Sequence, residues 1–446
     1  MIPTNSAKPI SREEVQSLLS PLAGFPRVAL AVSGGPDSLA LMHLAARWRA
    51  ERGEGPELSV LTVDHDLRPG SRDEAVMVGR AAEALGLPHT ILTWVGHGAK
   101  DSSLQARARA ARYDLMAAHA HAHDILALVT AHHLDDQAET FLMRLKRGSG
   151  LDGLSAIPEQ GSWGGITLLR PLLDLPKTRL VATLEEEGLP FVIDPSNADM
   201  RFERARMRES SGALAKLGLT PEAVALSARR LRRARAALDA ATQDFLASDA
   251  EIREAGYAVV DPYALAAAPE EIALRALSRL IAAVGGGEDP VRLARLEVLL
   301  TALKENADKA HTLARCRLEP REERLFIFRE LRKAGLPVLT LQPGERTLWD
   351  NRFRVELGLA APTAVTVRAL GEEGLHRLKE LEALPPSLPR SAARTLPACW
   401  QGEMLLGLPE LGAAQSFGEG QSLADAPRSR HERGLDCRAT FLREVV

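Results

Sequence analysis

The chain has 446 residues, too many for one ordinary hydrophobic core, so two or three domains are expected. Apolar residues make up 45% of the sequence and charged residues 26%, a composition typical of soluble globular proteins. No apolar run approaches the roughly 20 residues of a membrane helix, and residues 1–14 lack a basic segment followed by an apolar one. These features argue against a membrane-embedded or secreted protein. The net charge of −3 is small, so charged partners are indicated by local clusters of charge rather than by the whole chain.

The three cysteines, Cys316, Cys399 and Cys437, are widely spaced and odd in number. They form neither a metal-ligand pattern nor a disulfide framework. We therefore expect a reducing, cytoplasmic location.

Residues 1–200 alternate between strand and helix patterns. Strands are predicted at 28–32, 58–63, 90–95 and 125–130, and helices at 39–47, 73–85, 104–121 and 136–146. Ser11 with Glu14, and Ser71 with Glu74, have the spacing of capping boxes at helix starts. Nearly continuous apolar strands separated by helices indicate an α/β fold with a parallel sheet covered on both faces. Ligands of such sheets bind at the carboxyl ends of the strands.

The turn after the first of these strands predicts a phosphate site. Its residues are Ser33, Gly34, Gly35, Pro36, Asp37 and Ser38. The glycines let backbone N–H groups approach an anion closely, the serines add hydroxyl donors, and the positive end of the following helix points to the same place. No lysine follows the glycines, so this is not the ordinary loop of nucleotide triphosphatases. The alternative is a glycine turn that binds nothing.

Two further groups of polar residues follow strands of the same sheet. Asp64 and His65 end the second strand, where they could contact ribose, adenine or a metal-bound phosphate, or belong to an ordinary loop. After the fourth strand come His132 and His133, then Asp136 and Glu139, which are three apart and share a helix face. Two carboxylates so placed can hold Mg²⁺ or the ammonium group of an amino acid. The alternatives are a zinc site built from both histidines and Glu139, or the usual enrichment of acids at a helix start.

A basic region follows the predicted sheet domain. Residues 201–235 contain ten Lys or Arg and three acids, an excess of seven positive charges in a chain of net charge −3. Such a cluster is typical of a surface that binds a polyanion, and a solvated helix face is the alternative.

The pattern changes twice more along the chain. Residues from about 210 to 330 are helical and rich in Ala, Leu and Arg, with a short strand at 325–328, and from about 338 prolines alternate with short strands. We therefore predict three domains: an α/β catalytic domain at 1–210, a mainly helical domain at 211–335 and a small mixed or β-rich domain at 336–446.

Taken together, these motifs resemble the PP-loop ATP pyrophosphatase superfamily, and within it the tRNA(Ile)-lysidine synthetases. The matching segments are 33–38, 63–68, 71–75, 108–113, 132–140, 147–153, 170–173 and 194–208. Resemblance beyond residue 210 is looser and includes 226–238, 312–313 and 349–353. One departure is Arg204-Ala205-Arg206, where the family usually has Arg-Asn-Arg.

The resemblance implies an adenine nucleotide α-hydrolase-like fold and a specific reaction. ATP with Mg²⁺ would adenylate the C2 oxygen of the wobble cytidine in the CAU anticodon of tRNA(Ile). The ε-amine of free L-lysine would then attack C2 and give lysidine, AMP and pyrophosphate. The basic region and the last domain would bind the tRNA body.

The resemblance also assigns candidate roles to residues. The candidate catalytic residues are Asp37, Arg112, His133, Asp136, Glu139 and Arg206. The candidate ATP-binding residues are Ser33, Gly34, Gly35, Pro36, Asp37, Ser38, Asp64 and His65. Asp37 would orient the loop or hold Mg²⁺, Arg112 and Arg206 would neutralise phosphate charge, and His133 would act in acid–base chemistry or contact the base. Asp136 and Glu139 would hold or activate the lysine amine.

Three rival functions are less consistent with the sequence. A tRNA thiolase of the same superfamily needs cysteines near its catalytic domain, and the first cysteine here is Cys316. A glutamine-dependent amidotransferase related to GMP synthetase needs an ammonia-producing domain for which the chain has no room. A non-catalytic RNA-binding protein has no need of the intact phosphate loop. The sequence leaves the oligomeric state open, a homodimer included.

Overall fold

The computed structural model describes residues 7–65, 70–94, 104–191, 203–287, 291–306, 308–380, 384–385, 387–412 and 437–442. Its contacts divide the chain into two compact units, Met1–Arg235 and Ala236–Val446.

The first unit is built on a six-stranded sheet. Its strands are β1 Arg27–Ala31, β2 Glu57–Asp64, β3 His89–Thr93, β4 Ala127–Val129, β5 Gln160–Trp163 and β6 Ile166–Leu169. The spatial order is β3-β2-β1-β4-β6-β5, with every neighbouring pair parallel except β5 with β6. The predicted parallel sheet is thus confirmed, and an antiparallel edge strand extends it.

Helices cover both faces of this sheet. The described helices up to residue 249 are α1 Arg12–Leu19, α2 Pro36–Arg52, α3 Ser71–Ala84, α4 Leu104–Ala122, α5 Leu134–Lys146, α6 Leu151–Leu154, α7 Lys177–Glu186, α8 Glu203–Lys216 and α9 Pro221–Asp249, with a 3₁₀ turn at Ser20–Gly24. Successive residues of β1 point to opposite faces, so Val28 and Leu30 enter the core beneath α1, α2 and α7, while Ala29 and Ala31 face α4. Among the described helices, none is both long and apolar enough to cross a bilayer.

The two predicted capping boxes have different outcomes. At α1 the Ser11 hydroxyl accepts the Glu14 N–H, and the Glu14 carboxylate accepts the Ser11 N–H. At α3 the helix already begins at Ser71, and the residue before it, Gly70, has no capping side chain. The Ser71 hydroxyl instead donates to Asp64 Oδ1 at 2.7 Å, so this serine ties the helix to the end of β2.

The described part of the second unit contains three sheets. Its strands are β7 Ala250–Arg253, β8 Tyr257–Val260, β9 His311–Leu313, β10 Cys316–Arg321, β11 Arg324–Arg329, β12 Leu339–Leu341, β13 Arg346–Trp349, β14 Phe353–Leu357, β15 Val365–Ala369, β16 Pro397–Gln401, β17 Met404–Gly407, β18 Glu410–Gly412 and β19 Cys437–Phe441. The sheet orders are β7-β8-β11-β10-β9, β12-β15-β16-β17 and β13-β14-β19-β18. Its helices are α10 Pro262–Ala267, α11 Glu270–Gly285, α12 Leu293–Glu305, α13 Gly371–Glu380 and α14 Arg390–Ala393. The mixed, strand-rich character predicted for the C-terminal region is confirmed.

The five-stranded sheet lies in the segment predicted to be mainly helical, and of its strands only β11 was expected. The hairpin turns that join β9, β10 and β11 place Ala314, Arg315, Glu322 and Glu323 at φ between 46 and 67°. Such turns normally contain Gly or Asn, because other residues are strained in the left-handed region. Without those residues the sequence gives no hairpin signal, and the strands have only three to six residues each.

Candidate active site

A cavity of about 460 Å³ opens at the carboxyl ends of β1, β2 and β4. Its size falls within the roughly 300–1,000 Å³ typical of small-molecule sites. The residues that line it are Ala31, Val32, Ser33, Gly34, Gly35, Pro36, Asp37, Ser38, Leu61, Val63, His65, Glu74, Ala108, Arg109, Arg112, Tyr113, Met116, Thr130, Ala131, His132, Asp136, Lys177 and Arg204. The cavity therefore lies where the parallel sheet was expected to bind its ligand.

The phosphate loop has the geometry of an anion cradle. Gly34 has a φ of 85°, which favours glycine, and Gly35 is the N-cap of α2 with Pro36 in the first turn. A Cβ built on Gly35 would meet nothing nearer than Ser33 Oγ at 3.9 Å, so the backbone here is open to a ligand. The Ser38 hydroxyl accepts the Ser33 N–H at 3.1 Å and donates to the Gly35 carbonyl at 3.0 Å. Ser38 thus closes the loop on itself.

Asp37 is the charged centre of the loop. Its Oδ2 accepts a hydrogen bond from Lys177 Nζ at 2.9 Å and lies 3.5 Å from His133 Nε2. Its Oδ1 is buried and has no hydrogen-bond partner among the residues that the structure describes. Burial would raise the pKa of Asp37, but the cationic His133 and Lys177 outweigh it and lower the pKa. Asp37 is therefore ionised, and one of its oxygens is held by cations.

His133 lies beneath the cavity among three carboxylates. Its Nε2 is 3.5 Å from both Asp37 and Asp136, and its Nδ1 is 3.4 Å from Asp135. Burial alone would lower the pKa of this imidazole, but Asp135 and Asp37 raise it to about 10. At neutral pH His133 is consequently a cation that holds these carboxylates together.

His132 has the opposite electrostatic environment. Burial, with the positive charge of Arg170 nearby, lowers its pKa to about 3, so this ring is neutral. Its Nδ1 is 2.7 Å from Thr130 Oγ1, and it lines the cavity. The two histidines therefore have separate partners, and among the described residues no cluster of three or more His, Cys, Asp or Glu side chains is arranged to hold a metal. This arrangement gives no support to the zinc alternative.

The two acids of α5 have different surroundings. Asp136 lines the cavity; its Oδ2 accepts the His133 N–H at 3.2 Å, and its Oδ1 lies 4.0 Å from Arg204 and 3.9 Å from Arg208. Glu139 is held by Arg208, whose Nε and Nη2 donate to its two oxygens at 2.5 and 3.3 Å. Burial raises the pKa of Glu139 despite this pair. Asp136 is open to a ligand, whereas Glu139 anchors α8.

A second set of cations lies on α4. Arg112 and Arg109 both line the cavity, and Arg109 also packs over the Tyr113 ring at 5.6 Å. Burial lowers the pKa of Arg112 from its usual value. Within the described parts of the chain, no carboxylate lies within 4 Å of the Arg112 guanidinium. These two arginines give the cavity positive charge for a phosphate ligand.

Comparison with known proteins shows the family to which the chain belongs. The family model described as a PP-loop domain matches residues 7–212. Curated tRNA(Ile)-lysidine synthases are similar over most of their length: that of Bradyrhizobium sp. is 46% identical over 66% of this chain and 84% of its own, and that of Methylobacterium nodulans is 49% identical over 71% and 93%. The enzyme of Ruegeria pomeroyi is 37% identical over 88% of this chain and 90% of its own.

The chain belongs to the tRNA(Ile)-lysidine synthase family. With its PP-loop domain it is an ATP-dependent enzyme of the ligase type. The resemblance drawn from the sequence motifs is therefore confirmed.

The structure brings most of the predicted site residues of this lysidine synthase family member together. Those that line the cavity are Ser33, Gly34, Gly35, Pro36, Asp37, Ser38, His65, Arg112 and Asp136. His133 and Glu139 lie behind this lining. Asp64 is buried, bound by Ser71, and does not line the cavity. Arg206 is exposed on α8 and does not line it either.

The cavity also includes residues that were not predicted to belong to it. Arg109 and Arg204 lay within matched motifs but had no assigned role. Lys177 lay in no motif at all, since it follows the matched segment 170–173 by four residues. The parts of the matched segments at 66–68 and 194–202 lie outside the described residues.

The basic helix α9 has two kinds of arginine. Arg232 Nη1 lies 3.0 Å from Glu159 Oε1, and Arg235 Nε lies 3.2 Å from Asp152 Oδ1. Arg229, Arg230 and Arg233 are exposed, and no carboxylate within the described residues pairs with them. Three guanidinium groups of this helix are therefore available to an external polyanion.

Proposed function

We propose that the protein converts the wobble cytidine of the CAU anticodon of tRNA(Ile) to lysidine, using ATP and free L-lysine. The observation that carries the proposal is the cavity that joins a phosphate loop to the acid Asp136 and to two arginines of α4, Arg109 and Arg112. Family membership supports the same substrates.

In the first step the cytidine C2 oxygen bonds to the α-phosphorus of ATP, and pyrophosphate leaves with the electron pair of the broken bond. The open backbone at Gly35 binds the phosphates at the N-terminus of α2. Arg112 and Arg109 stabilise the charge that develops on them. His65 lines the same cavity, and its ring packs against Trp94 in a T-shaped arrangement with the ring centroids 5.9 Å apart.

The residues also fit a magnesium ion. Mg²⁺ is usually bound by one or two carboxylates together with substrate phosphates. Asp37 Oδ1 is a buried oxygen of the phosphate loop, and no group in the described part of the chain is hydrogen-bonded to it. We propose that Asp37 holds the ion, which would neutralise phosphate charge when bound.

In the second step the lysine Nε bonds to C2, AMP leaves with the electron pair of the C2–O bond, and the nitrogen loses a proton. Asp136 is the group we assign to the lysine amine, because its carboxylate lines the cavity. His133 is a cation at neutral pH and has no capacity to take that proton. We assign it to fixing Asp37 and Asp136, and Glu139 to positioning Arg208 and helix α8.

A tRNA thiolase is less consistent with the chain. Persulfide chemistry needs an accessible cysteine near the cavity, and Cys316, Cys399 and Cys437 are all buried in the second unit. We propose that the exposed arginines of α9 bind tRNA phosphates and that the reaction takes place in the cytoplasm.

The test is incorporation of radiolabelled lysine into unmodified tRNA(Ile) with a CAU anticodon, in the presence of ATP and Mg²⁺. Elongator tRNA(Met), which has the same anticodon, is the control substrate, and Ser38→Ala is the control enzyme. We expect label in tRNA(Ile) alone, reduced at least tenfold by Ser38→Ala because the loop loses its internal hydrogen bonds. AMP and pyrophosphate formed with tRNA but without lysine incorporation would refute lysine as the nucleophile and retain the adenylation step.

A further inference from the structure

The phosphate loop has no basic residue of its own. Neither the loop nor the following turns of α2 contain Lys or Arg before Arg47. A pyrophosphate group carries several negative charges, and its departure is favoured by cations placed at its oxygens. The cation nearest the loop must therefore come from another part of the chain.

Lys177 occupies that position. It is the first residue of α7, 140 residues away from Asp37 in sequence, and it lines the cavity together with the loop. Its side chain is anchored by the 2.9 Å hydrogen bond to Asp37, and its backbone N–H donates to Asp135 at 2.9 Å. Both ends of the residue are thus fixed to the elements that form the site.

The position of this lysine is unfavourable for the helix itself. Cations near a helix N-terminus oppose the helix dipole. The first turn of α7 contains no acid, so the carboxylates that compensate here, Asp37 and Asp135, come from other elements. A residue that breaks a local preference is expected where function requires it. The ammonium group has three N–H donors, and among the described residues only Asp37 accepts one of them. The remaining donors are available to a ligand.

We propose that Lys177 is a pyrophosphate-binding residue, whose ammonium group contacts the β- and γ-phosphates of ATP. It supplies from α7 the positive charge that the loop lacks. This inference rests on the proposed use of ATP. As the bond between the α-phosphorus and the bridging oxygen breaks, Lys177 stabilises the negative charge that the departing pyrophosphate acquires. Asp37 keeps the ammonium group in place through Oδ2, which leaves its Oδ1 for a metal ion.

The experiment measures the binding of inorganic pyrophosphate with Mg²⁺, and of AMP, by calorimetry. Lys177→Gln retains a donor for Asp37 but lacks the charge, Lys177→Met lacks both, and Lys177→Arg keeps the charge. Lys309→Met is the matched control, because Lys309 is exposed and does not line the cavity. Melting temperatures establish that each variant is folded.

We expect Lys177→Gln and Lys177→Met to weaken pyrophosphate binding by about 10- to 100-fold, the usual effect of losing a charged hydrogen bond. AMP binding should change less than twofold, and Lys177→Arg should remain within threefold of the wild type for both ligands. Pyrophosphate binding by Lys177→Gln within threefold of the wild type would overturn the proposal, and so would equal losses for pyrophosphate and AMP. Neither ligand involves tRNA or lysine, so failure of lysidine formation by the wild type would leave this result interpretable.

Discussion

The exposed arginines of α9 allow a quantitative test of tRNA binding. Arg229 and Arg233 are four residues apart, share a helix face and have no carboxylate partner in the described structure. Each cation that neutralises a phosphate contributes about 0.7 to 0.9 to the slope of log affinity against log salt concentration. The double variant Arg229→Ala/Arg233→Ala should therefore have a slope shallower by about 1.4 to 1.8.

The matched control is Arg232→Ala/Arg235→Ala, which removes the same charge from the same helix. Glu159 and Asp152 already neutralise these two arginines, so the slope should change by less than about 0.5. Fluorescence anisotropy with unmodified tRNA(Ile), without ATP, at 50 and 200 mM KCl provides the measurement. Over that range the wild type should lose about tenfold more affinity than the exposed double variant does. Equal slopes for the wild type and both variants would refute the assignment of this face to phosphates.

Three further predictions concern the cavity. Asp136→Asn should lower kcat by about 10²–10⁴, and a loss below tenfold in the lysine-incorporation assay would remove Asp136 from the catalytic set. The pKa of His133 is raised to about 10 from about 6.5 when unfolded, so its contribution to the free energy of unfolding is complete below pH 6.5 and lost towards pH 10. In denaturant titrations the stability difference between the wild type and His133→Asn should therefore shrink by at most about 1.4 kcal/mol per pH unit across that range, and a constant difference would contradict it. Gly34→Ala should lower the free energy of unfolding by about 1–2 kcal/mol, because alanine is strained at the φ of 85° that Gly34 adopts, and it should weaken ATP binding. An unchanged melting temperature and ATP affinity would show that the loop does not need glycine at this position.

The parts of the site that could be predicted are those encoded locally. An apolar strand, two glycines and a helix start are contiguous in sequence, and the cradle at Gly34 and Gly35 follows from them. The meeting of that loop with His65 and Asp136 also follows, because parallel strands bring their carboxyl ends to one edge.

Contacts between distant segments left no local signal. Lys177 reaches Asp37 because α7 packs against α2, and no spacing in the sequence reports that packing. The hairpins of the second unit were missed for a different reason, since Ala314 and Glu322 adopt left-handed conformations that their residue types do not favour.

The roles of the arginines on α8 depend on helix phase rather than on motif. The matched motif placed Arg206 in the site. A helix turns about 100° per residue, so Arg206 points in a different direction from Arg204 and Arg208, which are each two residues away from it. Ala205 is buried at 6% exposure, which sets the inner face and leaves Arg204 and Arg208, four apart, to approach the carboxylates of α5. A buried Asn at 205 would need hydrogen-bond partners that Ala does not. Having Ala205 in place of the family's Asn therefore leaves the contacts of Arg204 and Arg208 with the carboxylates of α5 in place. It removes only the need for hydrogen-bond partners at the buried position 205.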